Sequence, residues 1–121
     1  MYIANPIDRS RYRNVWVIAE QRDGRVKRVT YELLGAARAL ADARRANVWC
    51  VLLGEGVTAA ADDCIARQAD TVLVVDHPEL ATFVDETYAN VLNRLIDRYT
   101  PEIVLCGATA QGRALIPRVA V

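Results

Sequence analysis

The chain has 121 residues, one domain's worth, and 15 Lys and Arg balance 15 Asp and Glu to a formal net charge of zero. A neutral chain does not bind polyanions by default, so no nucleic-acid partner is expected. Apolar residues make up 53%, too many for a disordered chain. No apolar run approaches the ~20 residues of a membrane helix, so no membrane insertion is expected.

Residues 1–13 read as an N-terminal arm. Pro6 and the charges Asp8, Arg9, Arg11 and Arg13 argue against a strand there. With no apolar stretch among them, no signal or transit peptide is evident, and a prokaryotic cytoplasm is the expected location. The α/β domain is expected over residues 14–121.

Four short apolar runs follow: Val15–Ala19, Val48–Leu53, Val72–Val75 and Ile103–Cys106. Each is β-branched or bulky, and none alternates with polar residues, as in strands covered on both faces. After the first run, Arg22-Asp23-Gly24-Arg25 reads as a turn. Thr30 is placed as the cap of a helix running to about Arg44, with Glu32 in its first turn. Its apolar stripe is Leu33, Ala37, Leu40 and Ala41. A second, alanine-rich helix is predicted from near Thr58 to near Gln68. The third is the clearest, with Val84, Tyr88, Val91, Leu92, Leu95, Ile96 and Tyr99 at helical spacing, and Pro101 closes it. A fourth helix is predicted to begin near Gly112. Strands alternating with helices in this way specify a parallel sheet built from right-handed crossovers.

Cys50, Cys64 and Cys106 are odd in number and widely spaced. No C-x-x-C or paired histidines accompany them, so no disulfide framework or metal site is expected. Cys50 and Cys106 read as small buried hydrophobes in a reducing compartment.

Open α/β sheets bind ligands at the carboxyl ends of their strands. The four segments to search are Glu20-Gln21-Arg22, Gly54-Glu55-Gly56, Asp76-His77-Pro78 and Gly107 to Arg113. The last has two readings. As a phosphate or carboxylate site, Gly107 and Gly112 would admit a ligand close to the backbone, Thr109 would add a hydroxyl and Arg113 a cation. As an ordinary βα loop, its glycines would serve the turn and helix packing. The spacing is neither G-x-G-x-x-G nor a Walker pattern. His77 follows a strand and precedes Pro78, so turn geometry explains it; Asp76 beside it is of the type that orients a general base, but no nucleophile accompanies them. Arg25, Lys27 and Arg28 form a short basic cluster without interleaved aromatics, which reads as a solvated turn.

Several strings resemble the electron transfer flavoprotein alpha subunit. Val15-Trp16-Val17-Ile18-Ala19-Glu20-Gln21-Arg22-Asp23-Gly24 resembles its opening strand and turn, and Glu32 to Ala41 its first helix. Val51-Leu52-Leu53-Gly54 is similar to its second strand. Pro101 to Thr109, with Gly112-Arg113 and Pro117-Arg118-Val119-Ala120, resembles its fourth strand and following helix. The likeness runs in order from about Asn14 to Val121.

The resemblance implies an α/β fold: an open parallel sheet with helices on both faces. This is a Rossmann-like (adenine-nucleotide-hydrolase-like) three-layer sandwich, expected to be incomplete within these residues. It also implies a non-enzymatic role, the N-terminal scaffold and subunit-docking part of an electron carrier. The partners implied are a beta subunit, a dehydrogenase donor (often acyl-CoA-specific) and a quinone reductase or other acceptor. FAD belongs to the complete subunit, in a C-terminal domain lying outside these residues, and none is expected to be held by this chain alone. The chain is expected to end about two turns into its fourth helix. An uncovered strand edge is then expected to drive self-association.

Two alternatives stay open on the residues themselves. One is a free-standing nucleotide-binding module of the universal-stress type. The other is a small enzyme using Asp76, His77 or Glu20.

Overall fold

In the computed structural model, which describes residues 11–119, ten helices and strands follow in chain order. They are β1 (Val15–Ile18), β2 (Gln21–Arg22), β3 (Arg25–Val26), α1 (Arg28–Ala43), β4 (Val48–Gly54), α2 (Ala61–Ala66), β5 (Thr71–Asp76), α3 (Asp85–Tyr99), β6 (Ile103–Leu105) and α4 (Ala110–Leu115). Short 3-10 turns at Thr58–Ala60, Pro78–Leu80 and Ile116–Arg118 complete them. The N-terminal arm lies outside the described residues except for its end. There, Arg13 N–H donates to the Thr100 carbonyl (2.9 Å) and the Thr100 hydroxyl donates to the Arg11 carbonyl (2.7 Å).

Four strands form one parallel sheet in the order β5-β4-β1-β6. The central strands β1 and β4 are almost entirely buried, and the edge strands β5 and β6 only partly so. Side chains alternate across the sheet, as the two-residue strand period requires. Val15, Val17, Val48, Cys50 and Leu52 pack with Leu34, Ala37 and Ala41 of α1 and Cys64 of α2. Trp16, Ile18, Val51 and Leu53 pack with Tyr88, Ala89 and Leu92 of α3 and Leu115 of α4.

Two helices on each face make three layers, and handedness explains the division. From β1 through β4 to β5 the chain moves one way across the sheet. From β5 to β6 it returns past β1. With every crossover right-handed, reversing direction puts the connecting helix on the opposite face.

Four local expectations are corrected. Thr30 does not cap α1, which starts two residues earlier at Arg28 behind Lys27. It is fully buried in the first turn instead, where its hydroxyl serves the end of β1. Glu32 accordingly lies beyond the first turn, paired with Arg28 at 3.5 Å. The α1 stripe centres on Leu34, Ala37 and Ala41, with Leu33 and Leu40 at its margins. The fourth helix starts at Ala110 because Thr109 caps it, two residues before Gly112. It yields to a 3-10 turn at Ile116, where Pro117 lacks the N–H a helix would use.

The Arg22–Arg25 turn is the tip of a β2–β3 hairpin. Asp23 (φ 53°) and Gly24 (φ 79°) both take the left-handed conformation that a two-residue hairpin loop demands.

Candidate functional site

The strand order reverses between β1 and β6, so the crevice favoured for ligands lies at their carboxyl ends. Glu20 follows β1 there and is only 4% exposed. Its backbone is held by three bonds. Its N–H donates to the Thr30 hydroxyl oxygen (2.9 Å), while its carbonyl accepts from Lys27 N–H (2.8 Å) and from the Thr30 hydroxyl (3.3 Å). Buried Thr30 thus ties α1 to the end of β1.

The Glu20 side chain points at the β6–α4 loop. Its Oε2 accepts from the Thr109 hydroxyl at 2.7 Å, and Thr109 Oγ1 accepts from Gly112 N–H at 3.0 Å. Thr109 therefore both caps α4 and binds the carboxylate. A Cβ on Gly107 would lie 2.7 Å from Glu20 Oε2, and one on Gly112 would lie 1.9 Å from the Gly107 carbonyl oxygen. The loop lies close against Glu20, and α4 close against the loop. Of the four residues singled out in the sequence, Gly107, Thr109 and Gly112 come together around Glu20. Arg113 is exposed, and its side chain bonds to no other described residue. Burial, with the Glu20 carboxylate nearby, pushes the Cys106 thiol up, away from thiolate chemistry.

The Asp76–His77 pair is not assembled as a general base. Asp76 Oδ1 accepts from Gly56 N–H (2.8 Å), and its Oδ2 accepts from Val57 N–H (2.9 Å), Thr58 N–H (3.2 Å) and the Thr58 hydroxyl (2.8 Å). These donors, Gly56 N–H and the Thr58 hydroxyl foremost, hold its carboxyl below the usual range. His77 Nδ1 accepts from Glu79 N–H at 3.1 Å and caps the 78–80 turn. Each side chain serves a different loop. Asp76 staples the β4–α2 connection, which explains the Gly54-Glu55-Gly56 segment as structure.

The sequence reading did not link Glu20 to Thr109. The available signal was an acid directly after a buried strand, but its partner lies 89 residues away. Cys50 and Cys64 are buried in one cluster. Hydrogen bonding to Cys64, then burial, holds the Cys50 thiol well above its ordinary range. Among the described residues no group of His, Cys, Asp and Glu is arranged to hold a metal, and no helix is long and apolar enough to cross a membrane.

Residues 15–121 match the family model described as the electron transfer flavoprotein domain. The chain is 45% identical over 109 residues to the electron transfer flavoprotein subunit alpha of Thermoanaerobacterium thermosaccharolyticum, covering 90% of this chain and 33% of that protein. It is 44% identical over 114 residues to the lactate dehydrogenase (NAD(+),ferredoxin) subunit LctC of Acetobacterium woodii, covering 94% and 27%. It is 40% identical over 116 residues to the acryloyl-CoA reductase electron transfer subunit beta of Anaerotignum propionicum, covering 96% and 32%. The chain spans about a third of the length of these curated relatives. The match over residues 15–121, on a parallel sheet with helices on both faces, places the chain in the electron transfer flavoprotein domain family.

Proposed function

We propose that this chain is the N-terminal scaffold and subunit-docking part of an electron transfer flavoprotein alpha subunit. The complete protein would carry electrons from a dehydrogenase, acyl-CoA-specific in one version, to a quinone reductase or other acceptor. Residues 14–121 form the docking domain and residues 1–13 an arm, and a beta subunit is the partner. The likeness to alpha subunits supports this reading, and so does the geometry of the switch point.

That geometry is the observation that carries the local role. A diphosphate needs donors and space at the carboxyl edge. Here an acid, Glu20, takes the Thr109 hydroxyl, and the space beside Gly107 and Gly112 is filled by Glu20 and by the Gly107 carbonyl. These residues do not fit the diphosphate of FAD, which is consistent with the flavin being held elsewhere. No electron-transfer step is assigned to side chains of this chain.

A second reading rests on Arg113. Its exposure beside Gly107, Thr109 and Gly112 favours an anion or nucleotide loop, as in a free-standing module.

Two measurements on the 121-residue chain separate these readings. Co-expression with an electron transfer flavoprotein beta subunit, followed by native mass spectrometry, is expected to show a one-to-one complex. Calorimetric titration with AMP and with FAD is expected to show no saturable binding. AMP binding that Arg113→Ala abolishes, with no complex formed, would overturn the docking role in favour of the nucleotide module.

A further inference from the structure

Two arginines face one another across the β2–β3 hairpin. Arg22 and Arg25 are direct cross-strand partners, so their side chains leave the same face of the ribbon. Like charges placed opposite each other destabilise a strand pair. Both residues are exposed, and neither side chain bonds to another described residue. Lys27 and Arg28 continue the basic segment, and Asp23 at the tip is its one acid. A local rule broken without internal compensation points to a partner that supplies the missing charge.

The hairpin is firmly mounted. Gln21 Oε1 accepts from Gly24 N–H at 2.9 Å, and Gln21 Nε2 donates to the Leu53 carbonyl at 3.4 Å. A Cβ on Gly24 would lie 2.8 Å from the Gly56 carbonyl oxygen, so the tip sits directly on the β4–α2 loop. The two guanidinium groups are thus presented from a braced platform, which limits the ordering cost of binding.

Beside the platform an open cleft of about 430 Å³ is bounded by Arg22 and Asp23 of the hairpin, by Thr82 and Phe83 after β5, and by Tyr88 and Gln111. The Tyr88 hydroxyl is engaged by the Leu80 carbonyl at 2.6 Å. Phe83, half-buried and edge to face with the buried Tyr88 at 4.9 Å, offers an apolar surface to whatever enters.

We propose that hairpin and cleft together dock an acidic segment of a partner polypeptide. One carboxylate bridges Arg22 and Arg25, and a neighbouring apolar side chain of the partner lies against Phe83. Charge complementarity selects the acid. Asp23, between the two arginines in the chain, repels a continuous polyanion, whereas a single carboxylate can bind clear of it. This rests on the docking role only in that the occupant is another polypeptide, and its test needs no beta subunit.

The test is fluorescence anisotropy with the whole chain and a labelled Gly-Ser-Glu-Phe-Ser-Gly peptide, which carries one acid beside one aromatic, at low salt. The comparators are labelled oligothymidylate and, as competitor, inorganic phosphate. The peptide is expected to bind, and R22E/R25E to weaken it at least tenfold. R94E, a reversal at an exposed position on α3, is expected to leave affinity within twofold. R25E alone is expected to weaken the peptide while raising Tm by roughly 1–4 °C, because it relieves the like-charge pair. A merely structural Arg25 would not show that opposition, and the gain in Tm shows that lost binding is not lost folding. Absent peptide binding, undiminished binding by R22E/R25E, oligothymidylate binding more tightly than the peptide, or displacement by phosphate at equal concentration would each overturn the proposal.

Discussion

Replacing glycine by alanine inside a helix ordinarily stabilises by about 1 kcal/mol, because alanine loses less backbone entropy on folding. At Gly112, inside α4, the sign is expected to reverse. The added Cβ would sit 1.9 Å from the Gly107 carbonyl oxygen, a backbone atom that cannot rotate away. A carbon-to-oxygen contact needs about 3.3 Å, so α4 and the loop must part by roughly 1.4 Å. Overpacking of this kind costs about 1–3 kcal/mol. The parting also strains the Gly112–Thr109 bond of 3.0 Å and the Thr109–Glu20 bond of 2.7 Å. The second of these is to a carboxylate, where loss costs about 1.5–3 kcal/mol. After subtracting the propensity gain, Gly112→Ala is expected to destabilise by about 2–4 kcal/mol, a fall in Tm of the order of 10 °C. Gly35 in α1 is the control, because a Cβ there meets nothing within 4 Å. Gly35→Ala is therefore expected to stabilise by about 0.5–1 kcal/mol. Equilibrium urea denaturation of both variants tests the reasoning. A Gly112→Ala protein as stable as the parent, alongside a stabilised Gly35→Ala protein, would refute the close packing of α4 on the loop.

Three further outcomes are expected. Thr30→Val keeps the side-chain shape but leaves the Glu20 N–H without its buried acceptor, costing about 1–3 kcal/mol; an unchanged urea midpoint would contradict that role. Asp76 titrates below its ordinary range in the folded chain, so its contribution is complete above the unfolded carboxyl pKa and is lost as pH falls through the lower folded value. Asp76→Asn should accordingly flatten the decline in stability between neutral and acid pH, and parallel pH profiles for the two proteins would count against the staple. The short edge strand β6 has no partner on its outer side among the described residues, so concentration-dependent association is expected by light scattering; a monomer at millimolar concentration would dismiss it.

Much of the fold was legible because periodicity is local. An unbroken apolar run such as Val48 to Leu53 reads as a strand covered on both faces, and β4 is that strand. The spacing of Tyr88, Leu92 and their neighbours reads as a helix, and α3 runs from Asp85 to Tyr99. The clearest error fell where a polar residue had two possible partners. Thr30 suits a helix cap by type, yet the end of β1 lies close enough to take its hydroxyl. The role of Asp76 was out of reach rather than misread, since its four donors lie on Gly56 to Thr58, 18 to 20 residues earlier in the chain. The hairpin signal, Asp23-Gly24, was read as a turn, because strands of two residues each are too short to carry a period.

From the sequence alone follow the α/β class, the alternation of strands and helices, the buried character of β1 and β4, and the likeness to the electron transfer flavoprotein family. Those properties depend on neighbours within a few residues, or on strings that recur intact. Only the tertiary structure decided that β6 lies beside β1, and that Glu20 is thereby opposite Thr109. A neutral chain with a glycine-bearing loop is compatible with either an open anion site or a closed edge. Which one forms depends on where a carboxylate 89 residues away is carried by the strand order, and no local pattern encodes that distance.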